Sequence, residues 1–303
     1  MITTAAELRP LFILGPTGCG KSAVAVALAQ RLGEAEIVSA DAYQIYKKMP
    51  VLTAAPSEEE LAAVPHHLVG ILEPTEPNDA AEHARRALAA IADIQARGKR
   101  PIVTGGSGLY VKFISHGISP APPSDPALRA ELTALPSEEC VRRLREADPE
   151  GAANTDLCNP RYVVRNLEIV LTGGKPLAHW KNNWTEPAGP GFSLERDTET
   201  LDARIAARSR EMLRSGAIEE VAALESVPLS PTAAKTLGLD LIRSYLAGEL
   251  SRRDLTPALA LATRRYAKRQ RTWLRRETWL HSLPLQADDT PESIAARMAI
   301  CDL

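Results

Sequence analysis

The chain has 303 residues, 45% of them hydrophobic and 24% charged, which is typical of a globular protein with one large domain or two smaller ones. No apolar run is long enough to cross a membrane, and the formal net charge of -2 argues against indiscriminate nucleic-acid binding. The four cysteines form no Cys-x-x-Cys pair and Met1 to Pro10 lacks the pattern of a secretory signal, so we expect a cytoplasmic protein without a zinc site or a disulfide framework.

The first predicted strand, Leu11–Leu14, leads into a P-loop pattern of Gly, four residues and Gly-Lys-Ser. A helix-forming run, Ala23–Arg31, follows, and a strand, a glycine-rich loop and a helix N-terminus together form an anion site. In such a loop the backbone N–H groups cradle phosphate oxygens, the Lys neutralises charge and the Ser hydroxyl can hold Mg²⁺. The pattern predicts phosphate binding by Gly15, Pro16, Thr17, Gly18, Cys19, Gly20, Lys21 and Ser22.

A second predicted strand, Glu36–Ser39, is followed closely by an acidic residue, Asp41. Ligands of open α/β sheets bind at the carboxyl ends of the parallel strands, so we expect this carboxylate near the phosphate site. There it could hold Mg²⁺ through water or accept a proton, and the alternative is that it caps a turn. A helix over about Asp79–Arg97 continues the βαβ rhythm of an α/β fold, a P-loop parallel sheet flanked by helices.

The third predicted strand, Pro101–Thr104, runs into two glycines and Ser107. Many P-loop ATPases carry an acidic Walker-B residue after such a strand, and its absence here argues against an ordinary ATP-hydrolysing motor. The glycines allow a substrate to approach the backbone closely, and the Ser107 hydroxyl can donate or accept a hydrogen bond. The alternative for Ser107 is a plain helix N-cap.

A breaker-rich hinge, Gly117–Pro126, precedes a charged helical stretch that we interpret as an inserted small helical lobe. The predicted organisation is therefore a P-loop catalytic core of residues 1–116 and 158–303, with a helical C-terminal part, and a lobe of residues 117–157.

Pro160 opens the next predicted helix, with Asn159 as its cap. Arg161 and Arg165 are four residues apart and share a face of this helix. Two guanidiniums on one face suit a phosphate or diphosphate, because Arg makes bidentate, permanently charged contacts. The alternative is a surface face paired with Glu168.

The rest of the chain is predicted to be mainly helical and to carry a basic stretch. Of the thirteen residues from Arg264 to Arg276, seven are Arg or Lys and none is acidic. A polyanion larger than a nucleotide could bind such a face, and the alternative is a solvated helix surface. Predicted helices cover Leu201–Ser215, Ala217–Leu224, Pro231–Leu246 and Thr256–Arg276, before a short strand at Trp279-Leu280.

With these motifs in this order, the chain resembles the tRNA dimethylallyltransferases, also called tRNA isopentenyltransferases. The P-loop is generic, but the ordered set of motifs is specific, above all the stretch from Ala267 to Trp273. The resemblance covers nearly the whole chain and is carried by Gly15–Ser22, Asp41–Tyr46, Pro65–Leu68, Gly105–Tyr110, Asn159–Glu168 and Thr263–Arg275.

The resemblance implies transfer of a dimethylallyl group from dimethylallyl diphosphate to N6 of the adenosine 3′ of a tRNA anticodon. The P-loop would then bind the diphosphate, with Lys21, Mg²⁺ and Arg165 stabilising the departing charge and Ser22 helping to hold the metal. Asp41 matches the family's general base, and Ser107 matches a family Thr near the reacting groups. We expect the protein to act as a monomer, away from membranes.

The resemblance also implies that the lobe and the basic helix clamp the anticodon stem-loop around a splayed-out base. Further RNA contacts are implied within residues 235–240. The implied tRNA-binding residues are Asp41, Ala42, Tyr43, Gln44, Ser107, Arg129, Pro160, Arg161, Tyr162, Val163, Val164, Lys268, Arg269, Gln270, Arg271 and Arg275.

Two positions depart from the family's pattern and bear on RNA affinity. Ala55 stands where the family commonly has Lys, and Leu239-Asp240 stand where it often has Tyr followed by Arg or Lys. Three alternatives stay open: an isopentenyltransferase acting on free adenine nucleotides, a small-molecule P-loop kinase, and a tRNA-binding protein without activity. The basic helix and the lobe disfavour the first, and the intact P-loop and Asp41 disfavour the last.

Overall fold

The structure, a computed structural model, describes residues 8–180 and 184–300. Residues 1–7, which enter the argument about a secretory signal, and Cys301 lie outside these ranges. Within them, no helix is both long and apolar enough to span a membrane. The chain divides into two compact units, one of Met1–His116 with Glu186–Leu303 and one of Gly117–Thr185.

The first unit is built on a six-stranded parallel sheet with the order β3-β2-β4-β1-β5-β6. Every residue of the central strand β1 is buried, as is usual where helices cover both faces of a parallel sheet. The predicted α/β fold is confirmed. The strands are β1 Leu11–Leu14, β2 Ala35–Ser39, β3 His66–His67, β4 Arg100–Gly105, β5 Gly191–Glu195 and β6 Leu280–Pro284.

Fourteen helices lie in the described part of the chain, with α6 to α9 in the second unit and the others in the first. They are α1 Lys21–Leu32, α2 Pro50–Thr53, α3 Glu58–Ala63, α4 Ala80–Ala96, α5 Gly108–His116, α6 Pro126–Ala134, α7 Ser137–Ala147, α8 Pro149–Ala153, α9 Pro160–Gly173, α10 Thr198–Arg214, α11 Ala217–Ala223, α12 Leu239–Leu246, α13 Arg252–Leu274 and α14 Pro291–Ala299.

Local chemistry explains where these helices begin and end. The Asp79 side chain caps α4 by accepting hydrogen bonds from the N–H groups of Ala81 and Glu82, each at 2.9 Å. The helix predicted over Pro231–Leu246 is instead a 3₁₀ turn followed by α12. Gly238 separates the two, with a φ of 93° that a non-glycine residue rarely adopts.

The second unit is a small helical domain with its own core. Its boundary differs from the prediction, since the lobe extends to Thr185 and includes α9, which the sequence analysis assigned to the catalytic core. The physical reason is packing, because the apolar face of α9 completes the core of the lobe. That core contains Leu132, Cys140, Leu144, Ala152, Val163, Leu167 and Val170.

Candidate functional site

The P-loop connects β1 to α1 in the conformation that an anion site needs. Gly18 and Gly20 have φ values of 84° and 101°, in the left-handed region that favours glycine. Lys21 and Ser22 begin α1, so the unpaired N–H groups and the positive end of the helix dipole face the loop. Within the described residues, the N–H groups of Gly18, Gly20 and Lys21 donate no hydrogen bond, which leaves them available to phosphate oxygens.

Side chains from distant parts of the first unit hold this loop. The Nε of Arg204 donates to the carbonyl of Gly18 at 2.8 Å, and the Nε of Arg196 donates to that of Cys19 at 3.0 Å. On the other side, the N–H of Thr17 donates to Oε1 of Gln270 at 2.8 Å. Two loop carbonyls therefore accept hydrogen bonds from guanidinium groups, and these bonds hold the loop in its conformation.

A cavity of about 390 Å³ opens beside the loop. Lys21 and two arginines of α10, Arg204 and Arg208, give it three cationic side chains. Burial lowers the pKa of Arg208 from its ordinary value, and the Asp41 carboxylate opposes this. Arginine side chains stay charged in proteins, so the cavity keeps this positive charge. The lining residues are Gly18, Gly20, Lys21, Ser22, Ala23, Ala54, Arg204, Ala207 and Arg208.

The α10 arginines were not among the predicted site residues, although a signal for them existed. Arg204 and Arg208 are four residues apart in a segment predicted to be helical, which is the spacing that drew attention to Arg161 and Arg165. The spacing alone does not distinguish the two pairs, because packing decides which helix face reaches the P-loop.

Asp41 follows β2, in a turn that its own side chain closes. Its Oδ1 accepts hydrogen bonds from the N–H of Tyr43 at 2.9 Å and of Gln44 at 3.4 Å. Its Oδ2 has no hydrogen-bond partner within the described residues. Both sequence interpretations of Asp41 are therefore compatible, since one oxygen caps the turn and the other is available to accept a proton.

Ser107 joins three elements at the carboxyl end of the sheet. Its buried hydroxyl lies 3.2 Å from the hydroxyl of Tyr266 on α13 and accepts a hydrogen bond from the N–H of Ala42 at 3.4 Å. Burial, reinforced by the Asp41 carboxylate, raises the pKa of Tyr266, so its phenol stays protonated. Tyr266 was not predicted as a site residue, because a tyrosine within a basic helix carries no local signal of burial.

Aromatic rings lie around Asp41. Burial, with the carboxylate of Asp41 as a further cause, raises the pKa of Tyr43 and of Tyr110. The guanidinium of Arg269 lies 5.5 Å from the ring centroid of Tyr266, in a cation–π arrangement. The site thus combines one carboxylate with neutral hydroxyls and flat apolar surfaces, next to a cationic cavity.

Gln270 differs from its predicted role. It was grouped with the tRNA-binding residues, but its side chain is 4% exposed and bonds the P-loop. A Cβ atom at Gly106 would lie 2.6 Å from its Nε2 and 2.5 Å from the carbonyl oxygen of Gly15, so glycine permits this close packing. Ala42 is also buried, which leaves its side chain no surface for RNA.

Other residues of the predicted RNA face are accessible. Lys268, Arg269 and Arg275 are exposed, whereas Arg271 is half-buried and donates to Oγ1 of Thr198 at 2.9 Å. Tyr43 and Gln44 are half-buried near Asp41, and the Nε2 of Gln44 donates to the carbonyl of Ala54 at 2.9 Å. Of the 235–240 segment, Lys235 and Asp240 are exposed.

In the second unit, the predicted cations are paired with a buried carboxylate. Glu168 accepts hydrogen bonds from Arg129, from Arg165 at 2.7 Å and from Ser124 at 3.0 Å. Arg165 also donates to the carbonyl of Pro122 at 2.6 Å. The alternative interpretation of Arg165, an ion pair with Glu168, is therefore the arrangement observed.

The remaining residues of α9 that were predicted to bind RNA differ in their exposure. Pro160, Arg161 and Tyr162 are exposed, Tyr162 by 57%, and Val164 is half-buried. Val163 is 1% exposed and belongs to the core of the lobe, so its predicted contact with RNA is not supported.

Among the described residues, no group of three or more His, Cys, Asp or Glu side chains could hold a metal ion. The three described cysteines, Cys19, Cys140 and Cys158, are free thiols.

The chain matches known proteins over nearly all of its length. A family model described as IPP transferase matches residues 44–277. The chain is 58% identical over 290 residues to the tRNA dimethylallyltransferase of Akkermansia muciniphila, covering 95% of this chain and 97% of that protein. It is 42% identical over 278 residues to the tRNA dimethylallyltransferase of Parvibaculum lavamentivorans, covering 88% of each.

Solved structures agree with this. The tRNA isopentenylpyrophosphate transferase of Bacillus halodurans aligns with a TM-score of 0.69 and 30% identity over 96% of each chain. A eukaryotic dimethylallyltransferase acting on tRNA aligns with a TM-score of 0.82 over 96% of this chain and 78% of that chain, and at 24% identity it shows the fold. The chain therefore belongs to the IPP transferase family, the family of the tRNA dimethylallyltransferases.

Proposed function

We propose that the protein transfers a dimethylallyl group from dimethylallyl diphosphate to N6 of the adenosine 3′ of the anticodon in tRNA. The observation that carries the proposal is that one unit contains both a P-loop cavity lined by cationic side chains and Asp41, whose Oδ2 has no hydrogen-bond partner within the described residues. The identity to a curated tRNA dimethylallyltransferase over nearly the whole chain supports it.

The P-loop would bind the diphosphate as a leaving group. Negative charge grows on the diphosphate as the allylic C–O bond breaks, and pre-set cations stabilise that charge without having to reorganise. We assign this role to Lys21, Arg204 and Arg208, because they line the cavity. Arg165, which was predicted to stabilise this charge, forms an ion pair with Glu168 instead.

Asp41 would act as the general base. As the N6 nitrogen attacks the allylic carbon, an N–C bond forms, the C–O bond to diphosphate breaks and the N6 proton passes to the free Oδ2 of Asp41. The hydroxyl of Ser107, ordered by Tyr266, would hold the adenine or the diphosphate in line. The neutral tyrosines around Asp41 would offer stacking surfaces to the base once it leaves the anticodon loop.

The residues present fit a magnesium ion. Mg²⁺ in phosphate sites is bound by one or two protein oxygens together with substrate phosphates and water, so it needs no protein cage. Ser22, whose hydroxyl has no hydrogen-bond partner within the described residues, would supply one oxygen, and Asp41 could act through water. When bound, the ion would add positive charge to the departing diphosphate.

The basic part of α13 would supply phosphate-backbone contacts to the anticodon stem-loop, and the helical lobe would contribute a second RNA surface. We further propose that the enzyme acts in the cytoplasm, where tRNA is found, and that it acts as a monomer.

The decisive experiment follows the dimethylallyl group. Radiolabelled dimethylallyl diphosphate is supplied with unmodified tRNA whose anticodon is followed by adenosines, with AMP, ADP and ATP in parallel reactions. We expect label on the tRNA. Label confined to the free nucleotides would overturn the proposal in favour of a nucleotide isopentenyltransferase, and phosphoryl transfer from ATP to a small molecule would favour a kinase.

A variant tests the general base in the same assay. Asp41→Ala should abolish turnover and leave tRNA binding nearly unchanged, because one carboxylate is removed from a site whose cations remain. Unchanged turnover would remove Asp41 as the base.

A further inference from the structure

A histidine outside the proposed catalytic set is buried behind Asp41. His83, on α4, is 0% exposed, and its Nε2 lies 2.9 Å from the carbonyl oxygen of Ser39. Burial lowers the pKa of His83 more than its hydrogen bond to Ser39 and the nearby Asp41 carboxylate raise it, so the ring is neutral at pH 7. A neutral ring has one N–H, and the carbonyl accepts it, so Nε2 is the donor.

The carbonyl of Ser39 needs this donor because the sheet ends beside it. The odd-numbered residues of β2 face β3, as the bond from the N–H of Ile37 to the carbonyl of Pro65 shows. However, β3 ends at His67, the partner of Val38, so among the described residues no strand amide reaches the carbonyl of Ser39. A buried carbonyl without a hydrogen-bond partner lowers the stability of the fold. The side chain of His83 on α4 donates the hydrogen bond that a further strand would otherwise supply.

The histidine ring is itself held by two further contacts. Its Nδ1 lies 3.4 Å from Nδ2 of Asn78, whose Oδ1 accepts a hydrogen bond from Arg86 at 2.9 Å. The Tyr110 ring meets it edge-on, with 5.1 Å between centroids. Thr232 does not take part in these side-chain contacts, since it donates to the backbone carbonyl of Asn78, at 2.7 Å. The donor that reaches Ser39 therefore has one orientation.

From Ser39 the restraint passes to Asp41 through one intervening residue, Ala40, and both Ser39 and Ala40 are held by further hydrogen bonds. The N–H of Ala40 is bonded to the carbonyl of Thr104 at 2.8 Å, and the Ser39 hydroxyl is bonded to Oε1 of Gln44 at 3.0 Å. We propose that His83 is a positioning residue: by holding the Ser39 carbonyl, it fixes the direction in which the Asp41 carboxylate points. This inference rests on the proposed function, in which Asp41 is the base.

The test compares variants that keep or lose the donor. His83→Gln places an amide N–H near the position of Nε2, whereas His83→Asn is too short to reach Ser39 and His83→Phe has no donor. Single-turnover rates of prenyl transfer, the Kd for tRNA and the Kd for inorganic diphosphate are measured for each. A control, Thr232→Val, removes a hydrogen bond of the same network on the side away from Ser39.

We expect His83→Asn and His83→Phe to slow single turnover by about tenfold to a hundredfold, the usual effect of misplacing a reacting group, with both Kd values within about twofold of the wild type. His83→Gln should recover most of the rate, and Thr232→Val should lower the melting temperature without slowing turnover. Equal rates for the Gln and Asn variants, or a Thr232→Val rate as low as that of His83→Asn, would overturn the proposal.

The outcomes separate this inference from the function on which it rests. If Asp41→Ala retains full turnover, the role of Asp41 is wrong whatever His83 does. If Asp41→Ala is inactive and His83→Asn turns over at the wild-type rate, the failure concerns His83 alone.

Discussion

At the scale of single residues, the site divides into groups that the sequence identifies and groups that it does not. The P-loop, Asp41 and Ser107 could be predicted because each follows a strand directly, and a short local pattern carries its chemistry. Arg208 and Tyr266 could not, because their roles depend on which face of a distant helix packs against that loop or strand end. Both α9 and α10 carry two arginines four residues apart. Which of the two pairs lines the P-loop cavity depends on how each helix packs.

Arg208 provides a direct test of the cavity. Arg208→Ala should weaken binding of inorganic diphosphate by about tenfold to a hundredfold, since a charge-assisted hydrogen bond contributes about 1.5–3 kcal/mol. Isothermal titration calorimetry measures the effect. Arg210→Ala is the matched control, because Arg210 is exposed on another face of α10 and should leave the affinity unchanged. Equal affinity for both variants would exclude Arg208 from the diphosphate site.

Variants of Gln270 and Lys268 test whether the buried and the exposed faces of α13 have different roles. Gln270→Ala leaves the N–H of Thr17 without its acceptor and should weaken diphosphate binding about tenfold, with tRNA affinity little changed. Lys268→Ala, on the exposed face, should do the reverse. Filter binding with tRNA and titration with diphosphate separate the two effects. A loss of tRNA affinity alone in Gln270→Ala would restore the RNA role that the sequence indicates.

At the scale of elements, the long periodic helices, the apolar strands and the position of β6 were predictable, whereas β3 and β5 were not. β3 has two residues, too few to carry a pattern, and β5 follows the inserted lobe, where the chain re-enters the sheet. The predicted end of the lobe was wrong because it was drawn at a change in composition, whereas α9 belongs to the lobe through its buried apolar face. Packing between elements therefore determines which unit a helix belongs to, and local sequence signals do not.

Glu168 makes the stability of the lobe depend on pH. Burial opposes ionisation of its carboxyl, but hydrogen bonds from Arg165, Arg129 and Ser124 outweigh this and lower its pKa below the ordinary 4.5. A carboxyl with a lowered folded-state pKa contributes stability that is fully present above the unfolded-state value and is lost as the pH falls through the folded-state value. The contribution is therefore complete at neutral pH and declines below about pH 4.5.

Glu168→Gln should cost about 2–3 kcal/mol of unfolding free energy at pH 7, because two arginines lose their buried counter-charge. The difference from the wild type should shrink as the pH is lowered below 4.5. Urea denaturation across pH 3–7 measures it. Glu139→Gln, which breaks partly exposed pairs on α7, serves as the control and should have little effect. A constant difference at all pH values would show that the lost stability does not come from ionisation.

At the scale of the whole molecule, the two units differ in the cations they offer to RNA. In the lobe, Arg142 and Arg143 are paired with acidic residues of α7, and Arg129 and Arg165 with Glu168, whereas Arg161 on α9 is exposed. In the core, the basic stretch of α13 contains no acidic residue, and Lys268, Arg269 and Arg275 are exposed. The net charge of the whole chain, -2, does not show this difference between the two units.

We therefore expect the salt dependence of tRNA binding to arise mainly from α13. Replacing Lys268 and Arg275 with Ala should reduce the slope of log K against log salt by about 0.7–0.9 for each RNA phosphate that the protein no longer neutralises. Replacing Arg142 and Arg143 with Ala should leave the slope nearly unchanged, since these cations are already neutralised by Glu139 and Glu146. A larger reduction of the slope in the lobe variant would contradict this assignment.

Because β3 is short, it also affects how readily the folded chain associates with other molecules through the edge of its sheet. Exposed sheet edges are where strands of other molecules add, because their N–H and C=O groups await partners. One edge of this sheet is the two-residue strand β3, and the other is β6, which ends in Pro284 and so lacks an amide donor there. Neither edge gives a neighbouring molecule a long template, so the fold resists the edge-to-edge growth that leads to fibrils.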